Sequence, residues 1–349
     1  MIRIAIVGTG GMANAHAVAF KAIRGCKLVA GVDIDSDRVN GFCRTHGIPA
    51  AYGSVAELLG KCDFDAASVV TPDPFHVPCA LPLVKAGKHV LCEKPIAPTA
   101  PEGLRLVKAA ERAGVINMIN FSYRNNPVLH IAHDLVAAGK LGRILHFEAH
   151  YLQTWLSSPV WGDWKTTPAW LWRLSTAHGS KGALGDVGVH IVDLATYVAG
   201  QKVTSLNARL KTFSKAPGNR VGDYVLDAND SAYLRVGLAG GGIGVISTTR
   251  WATGQKNSLN LALYGDKGAL RLDLDKSGNE MEVCIGKNVA AAQWETLKCP
   301  SLPNMYERFI RSIRSGRNDA ADFRRGWEVQ KVLDACFVSE EKRGDVVVR

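Results

Sequence analysis

No apolar run in this chain is long enough to cross a bilayer, which excludes a bundle of membrane-spanning helices and, with it, a membrane partner. No two of the eight cysteines (Cys26, Cys43, Cys62, Cys79, Cys92, Cys284, Cys299 and Cys336) are spaced as C-x-x-C. In a chain of 349 residues that pattern argues against a disulfide framework and against a zinc site. We therefore expect reduced thiols, no metal and a cytoplasmic setting. No apolar leader stands ahead of the first strand at Ile2, so no secretory signal peptide is expected. Internal repeats and low-complexity tracts are absent too. Acidic residues are in deficit, 32 against 42 basic ones, for a formal net charge of +10. A positive field attracts anions: a dinucleotide, an acidic sugar or a nucleic acid. The densest basic run is Arg308, Arg311, Arg314, Arg317, Arg324 and Arg325. It lacks the interleaved aromatics of a single-strand platform, so it reads as a solvated helix face with no nucleic-acid partner.

What is present is an ordinary globular composition, 47% hydrophobic and 21% charged, in a chain too long for one typical core. Two domains are the natural division, 1–123 and 124–349. The first alternates strands (near 2–7, 28–32, 66–70, 89–92 and 115–119) with helices (near 11–23, 35–45, 54–59, 75–86 and 101–113). Such alternation implies a parallel sheet covered on both faces, an α/β domain with ligands beyond the C-terminal strand ends.

The opening stretch carries the chemistry. An apolar strand, Ile2 to Val7, runs into Gly8-Thr9-Gly10-Gly11-Met12-Ala13 and then a helix. This is the pattern G-x-G-x-x-A in its structural setting. Gly8 allows the sharp turn, Gly10 lets the backbone approach a pyrophosphate, and Ala13 keeps the helix close to the strand. The helix's unpaired N–H groups then face the phosphates. The second strand ends in Asp33, placed to accept the ribose hydroxyls of an adenosine and to repel a 2′-phosphate. Asp35 and Asp37 add to that repulsion and Arg38 is the only nearby cation, so the cofactor expected is NAD in preference to NADP. Thr71-Pro72-Asp73-Pro74 follows the third strand as a stiff turn beside the cofactor, and His76, which begins the next helix, is a candidate cofactor contact or else a cap or packing group. After the fourth strand comes Glu93-Lys94-Pro95. A lysine at this edge lies where a nicotinamide is expected, and its ammonium can hold a substrate oxyanion or relay a proton.

These residues resemble the glucose–fructose oxidoreductase / inositol dehydrogenase (Gfo/Idh/MocA) family. The resemblance continues in Asn120-Phe121-Ser122-Tyr123-Arg124 and in the run from Gly182 to Asp193, which contains Asp186 and His190. It implies a Rossmann domain followed by an α+β domain with a large, mainly antiparallel open-faced sheet. It places Asn120 with the cofactor residues, and Tyr123, Arg124, Trp172 and Arg173 with those near substrate. It also implies a homodimer or homotetramer assembled through the C-terminal sheet.

Residues of the second domain read consistently with this. Asp186 and His190 are four apart, so a helix over 185–199 puts them on one face. A histidine near its free pKa suits removal of an alcohol proton, and an aspartate can orient the ring or hold a hydroxyl. Gly182, Gly185 and Gly188 leave the approach to this helix slim, as a closely approaching ligand needs. Trp155, Trp161, Trp164, Trp170 and Trp172 crowd a loop-like stretch, either as faces for a sugar ring or as a covering arm packed on protein. From 203 to 298 the chain is strand-rich, and two helices, about 304–315 and 322–340, close it.

The expected activity is NAD-dependent oxidation of a secondary alcohol of a sugar, sugar derivative or inositol, with Lys94, Asp186 and His190 catalytic. The same site run in reverse is a carbonyl reductase, and a cofactor-recycling glycosidase is more remote. A non-catalytic dinucleotide sensor needs Asp33 and the glycine turn but has no use for Lys94, Asp186 and His190.

Overall fold

The computed structural model describes residues 1–349, the side chains at 168 and 169 aside. Packing divides the chain into two compact units. One contains residues 1–122 and 303–330, the other 123–302 and 331–349. The division thus interleaves: the stretch 303–330, assigned from sequence to the second domain, packs with the first unit.

The first unit contains β1 (Ile2–Val7), α1 (Gly11–Ala22), β2 (Cys26–Val32), α2 (Ser36–His46), β3 (Ala50–Tyr52), α3 (Val55–Lys61), β4 (Ala66–Val69), α4 (His76–Lys85), β5 (His89–Cys92), α5 (Ala100–Ala113) and β6 (Asn117–Ile119). All six strands are parallel, in the order β3-β2-β1-β4-β5-β6. The central strands are mostly buried, β4 and β6 entirely and β1 and β5 nearly so, because helices cover both faces of such a sheet, while β3 at the edge is only half-buried. Local chemistry sets the helix limits. Asp35 and Ser54 cap α2 and α3 through side-chain oxygens, and Gly47 and Gly114 end α2 and α5 in the left-handed conformation. Strand order reverses at β1/β4, and the register there sets up the site. Val7 pairs with Val32 and Val69, and Val69 with Cys92. The four strands therefore end level, and Gly8, Asp33, Val70-Thr71 and Glu93-Lys94 leave from one edge.

The second unit begins with α6 (Pro127–Ala137) and β7 (Ile144–Gln153), then a one-turn helix α7 (Pro168–Leu171) and α8 (Val189–Ala199). Strands follow: β8 (Val203–Lys211), a small hairpin of β9 (Arg220–Val221) and β10 (Tyr224–Val225), β11 (Ser231–Leu238), β12 (Ile243–Thr249), β13 (Asn257–Gly265), β14 (Gly268–Asp273), β15 (Glu280–Ile285) and β16 (Glu295–Lys298). The closing helices are α9 (Met305–Ser315) and α10 (Phe323–Lys342), with β17 (Val346–Val347) last. Nine strands form one sheet, β16-β15-β14-β13-β7-β12-β11-β8-β17, antiparallel except where β12 lies parallel to β7. Buried and exposed positions alternate along β7 and β11, the mark of a sheet with one covered face. Helix α8 packs on the covered face against β7, β12 and β13.

The tryptophan-rich arm has a core of its own. Trp155, Trp164, Leu156, Leu171, Leu174 and Leu226 are buried together, with Trp161, Trp170 and Trp251 packed against them. The glycines before α8 serve protein packing, which corrects the ligand-clearance expectation. A Cβ on Gly182 would stand 2.5 Å from Asn229, on Gly185 2.4 Å from Lys181, and on Gly188 3.0 Å from Leu184. All eight cysteines carry free thiols, and no helix among the described residues is long and apolar enough to cross a membrane.

Arg124 is almost fully buried and makes a two-pronged ion pair with Asp193 of α8, Nε to Oδ2 at 2.8 Å and Nη2 to Oδ1 at 2.6 Å. Its guanidinium also lies 3.8 Å from the centroid of the Tyr197 ring. Removing one charge leaves the other buried without its counter-ion, which costs about 3–5 kcal/mol. Asp193→Asn is expected to lower the urea midpoint by that amount of stability without changing the slope.

Candidate active site

In the first unit the edge is built for a phosphate-bearing ligand. Gly8 has φ +87°, and a Cβ there would stand 2.8 Å from Thr71 N and from the Val70 carbonyl. Only glycine permits that approach. A Cβ on Gly10 or Gly11 would meet nothing within 4 Å, so both face open space. No side chain caps the start of α1 and its first turn holds no acid, which leaves its N–H groups for an anion. Met12 is exposed there. The Asp33 carboxylate is fixed from both oxygens: Oδ2 accepts from Thr9 N and Thr9 Oγ1, each at 2.9 Å, and Oδ1 from Asp35 N at 3.1 Å. Arg38 donates to Asp35 Oδ2 at 2.9 Å and stands 3.5 Å from Asp33 Oδ1. These features fit a dinucleotide.

Behind the edge lies a buried polar network that sequence reasoning did not foresee. Glu93 Oε1 lies 2.9 Å from His16 Nε2 and accepts from Asn120 Nδ2 at 2.7 Å, and Oε2 accepts from Lys94 N at 3.2 Å. His16 Nδ1 lies 2.8 Å from Ser68 Oγ, and the His16 ring meets Tyr306 of α9 edge-on. Asn120 Oδ1 is buried and accepts no hydrogen bond among the described residues, an open acceptor consistent with a ligand amide. A signal for His16 does exist in the sequence. Ala13, His16, Ala17 and Phe20 form the buried stripe of α1, and a polar group in such a stripe needs a partner. Lys94 itself is half-buried, and its peptide bond to Pro95 is cis. His76 is sealed, with ring nitrogens 2.8 Å from Thr71 O and 2.6 Å from Pro95 O. Its ring thereby links the loops after β4 and β5. Pro72 stiffens the first of these loops, directly ahead of the turn at Asp73–Phe75.

In the second unit a π-helical turn, Leu184–Gly188, leads into α8 and carries Asp186, with His190 in the first turn of α8. Such turns widen a helix locally and re-aim its side chains. Asp186 Oδ2 accepts from Arg250 Nη2 at 3.1 Å and lies 3.7 Å from Arg173 Nε. Arg173 lies over the Trp172 ring at 4.7 Å. His190 is 8% exposed and meets the Tyr123 ring edge-on at 5.0 Å. Tyr123 and Tyr151 are joined through their hydroxyls, and both bond to Asn257 at 2.9 Å. Burial pushes the Tyr151 phenol well above its ordinary pKa, with Tyr123 adding to the shift. Arg250, Tyr151, Gln153 and Asn257 carry no local sequence signal. They reach this place through strand pairing alone.

A dinucleotide-shaped strand–turn–helix edge with a lysine, and a second domain presenting an aspartate and a histidine, define an NAD-binding oxidoreductase of two-domain type. Comparison with known proteins names the class more closely. The family model "Oxidoreductase family, NAD-binding Rossmann fold" matches residues 2–121, and the "GFO/IDH/MocA C-terminal domain" matches 129–271. The chain belongs to the Gfo/Idh/MocA family. Among curated relatives, levoglucosan dehydrogenase of Pseudarthrobacter phenanthrenivorans is 25% identical over 83% of this chain and 77% of its own length. D-glucoside 3-dehydrogenase of Escherichia coli is 26% identical over 97% of this chain and 95% of its own. Among solved structures, an oxidoreductase domain protein from Kribbella flavida is 28% identical over the full length of both chains, with a TM-score of 0.88. A levoglucosan dehydrogenase in complex with NADH, 24% identical over 100% of this chain and 99% of its own, has the same fold at a TM-score of 0.88.

The network makes a pH-dependent contribution. Burial alone would push the Glu93 carboxyl up, but the hydrogen bond and charge of His16, with Lys94 and Asn120, hold it down at about 2 against an ordinary 4.5. A depressed carboxyl stabilises the fold in full above its unfolded value and less as pH falls toward its folded one. The shift corresponds to about 3 kcal/mol. Glu93→Gln is therefore expected to destabilise the protein by that order at pH 7. The difference from wild type should fade between pH 4.5 and 2, as read by chemical denaturation at each pH.

Proposed function

We propose that this protein is an NAD-dependent dehydrogenase that oxidises a secondary alcohol of a sugar, sugar derivative or inositol. The observation carrying the proposal is the pairing of chemistries. The first unit offers a dinucleotide edge that ends in Glu93-Lys94, and the second a histidine and an ion-paired aspartate on one helix start. The names of the relatives favour carbohydrate alcohols as substrates.

Bound at the glycine turn, NAD supplies the hydride acceptor. His190 takes the hydroxyl proton as the carbon–oxygen bond gains double-bond character. The Lys94 ammonium holds the negative charge that develops on the same oxygen. Asp186, beside two guanidinium groups, accepts from a substrate hydroxyl, which fixes the ring. Trp172 offers an aromatic face to C–H groups, with Arg173 beside it. Tyr123 sets the orientation of the His190 ring by edge contact. Arg124 acts from inside the unit, holding α8 through Asp193.

A screen of inositols, free aldoses, anhydrosugars, glycosides and sugar acids for NADH absorbance tests the proposal. A substrate is expected within it. Lys94→Ala and His190→Ala should each lower turnover by about 10²–10⁴-fold while NAD still binds in a fluorescence titration. Binding of NAD with no hydride transfer to any member of the panel would favour a dinucleotide sensor instead.

The protein is further proposed to form a homodimer or homotetramer through the open face of the nine-stranded sheet. That face mixes charges of both signs (Glu148, Arg271, Asp273 and Glu282) around a hollow of about 700 Å³, so it can complement a second copy of itself. Tyr233, Ile243 and Val245 are exposed on the neighbouring strands. Light scattering after size exclusion is expected to give a multiple of 37.6 kDa, and a monomer alone would oppose this assembly.

A further inference from the structure

Two ion pairs of the second unit are closed on both sides. The Lys215 and Asp230 side chains are each 0% exposed, and Arg124 and Asp193 are 1% and 2% exposed. Such pairs hold structure and present nothing outward. The pair of Arg250 with Asp186 is lopsided: the arginine is 0% exposed and the aspartate 28%. A guanidinium taken fully out of water costs several kcal/mol before any partner is counted. Here that cost is borne beside a carboxylate that stays 28% exposed.

Arg250 is held through its backbone and through both terminal nitrogens of its fork, while its buried Nε has no hydrogen-bond partner among the described residues. Its N donates to Asp230 O at 3.0 Å, and its own carbonyl accepts from Leu156 N at 3.2 Å. Nη1 donates to Arg173 O at 3.0 Å while Nη2 reaches Asp186. The guanidinium lies 5.0 Å from the centroid of the Trp155 ring. From that indole the contacts continue. Trp155 Nε1 donates to Gln153 Oε1 at 3.1 Å, and Gln153 Nε2 to Asn257 Oδ1 at 2.8 Å. Asn257 in turn bonds to both Tyr123 and Tyr151, and the Tyr123 ring meets His190. One buried cation therefore stands behind the carboxylate at one end and, through Trp155, behind the tyrosine pair against His190 at the other.

We propose that Arg250 is a positioning residue: packed on Trp155, it locks the Asp186 carboxylate in a single orientation. The proposal rests on the reading above, in which Asp186 and His190 serve a carbohydrate hydroxyl. Arg250 touches no reacting atom; it acts through Asp186. Lysine at this position keeps the charge but has a single ammonium in place of the fork that serves Asp186 and the Arg173 carbonyl together.

The test is a mutant cycle on the substrate found in the screen, with Arg250→Met, Arg250→Lys, Asp186→Asn and the double variants. Arg250→Met is expected to lower kcat by about 10–100-fold, the effect of a misplaced group, while the KM for NAD stays within about twofold. Arg250→Lys should recover part of the loss. Arg250→Met with Asp186→Asn should be no slower than Asp186→Asn alone, because both changes remove the same interaction. If Arg250→Met does not fold, Arg250→Lys carries the same cycle. Losses that multiply, or a folded Arg250→Met with unchanged kcat, overturn the proposal and leave the dehydrogenase reading intact. A wild type inactive on the whole panel overturns that reading, and this proposal with it.

Discussion

A charge sealed away from water must find its counter-charge inside the protein, and that requirement arranges each unit. In the first, Glu93 draws together groups from three places in the chain. His16 comes from the helix after the glycine turn, Lys94 from the loop after β5, and Asn120 from the end of β6. The carboxylate is thus the internal reference for the edge on which the dinucleotide pattern lies. In the second, Asp186 and Asp193 bracket His190 four residues before and three after, and each is held by a buried arginine. The histidine-bearing helix is pinned from both directions. Its ring packs against those of Tyr123 and Tyr151.

The dinucleotide half of the molecule was legible because its information is local. A parallel strand buried on both faces is an apolar run, a phosphate turn is a glycine pattern, and Asp33 follows at a fixed interval. Only β3 escaped: three residues, Ala50–Tyr52, are too few for any periodicity to show. The mainly antiparallel character of the second sheet was also readable, from strands with no helices between them. The single parallel pairing of β7 with β12 was not, because each residue lies nearly a hundred positions from a partner that neither strand's own pattern names. Site residues divide the same way. Lys94, Asp186 and His190 stand in motifs. Arg250 follows an unremarkable strand, and its role exists only once β12 is laid beside β7 and the arm of residues 154–156 folds over the strand's end.

The tryptophan arm shows how packing narrows a composition argument. Five indoles in eighteen residues were open to two readings, sugar platform or covering arm. Burial assigns Trp155 and Trp164 to a core with Leu156, Leu171, Leu174 and Leu226, where no ring face is left for a ligand. Trp161 and Trp170 pack against that core from its rim. Trp172 lies outside that cluster; Arg173 lies over its ring and over that of Trp170, and in turn stands beside Asp186. An aromatic face, a guanidinium and a carboxylate thus lie within one short reach, the combination on which the proposed sugar site rests. The cluster beneath is what holds that combination in place.

The first unit is unfinished when the chain leaves it at residue 122. Its last strand is completed from far downstream. Ile119 N donates to Ala321 O at 2.7 Å, Asn117 N to Asn318 Oδ1 at 3.0 Å, and Phe323 N to Asn117 Oδ1 at 2.7 Å. Helix α9, expected at about 304–315, begins on a capping box of Asn304 and Glu307. Its destination was not readable, because an amphipathic face does not say which surface it covers. Tyr306 supplies the answer: its ring lies on His16 and Phe20, and its phenol is pushed up to about 12 by burial and the nearby Glu93. Without that cover, the imidazole paired with Glu93 would meet water, and the low dielectric that strengthens the pair would be lost. The electrostatics of the dinucleotide edge therefore depend on a segment more than two hundred residues downstream of Glu93, and contacts of such separation carry a loop-closure cost that local ones do not.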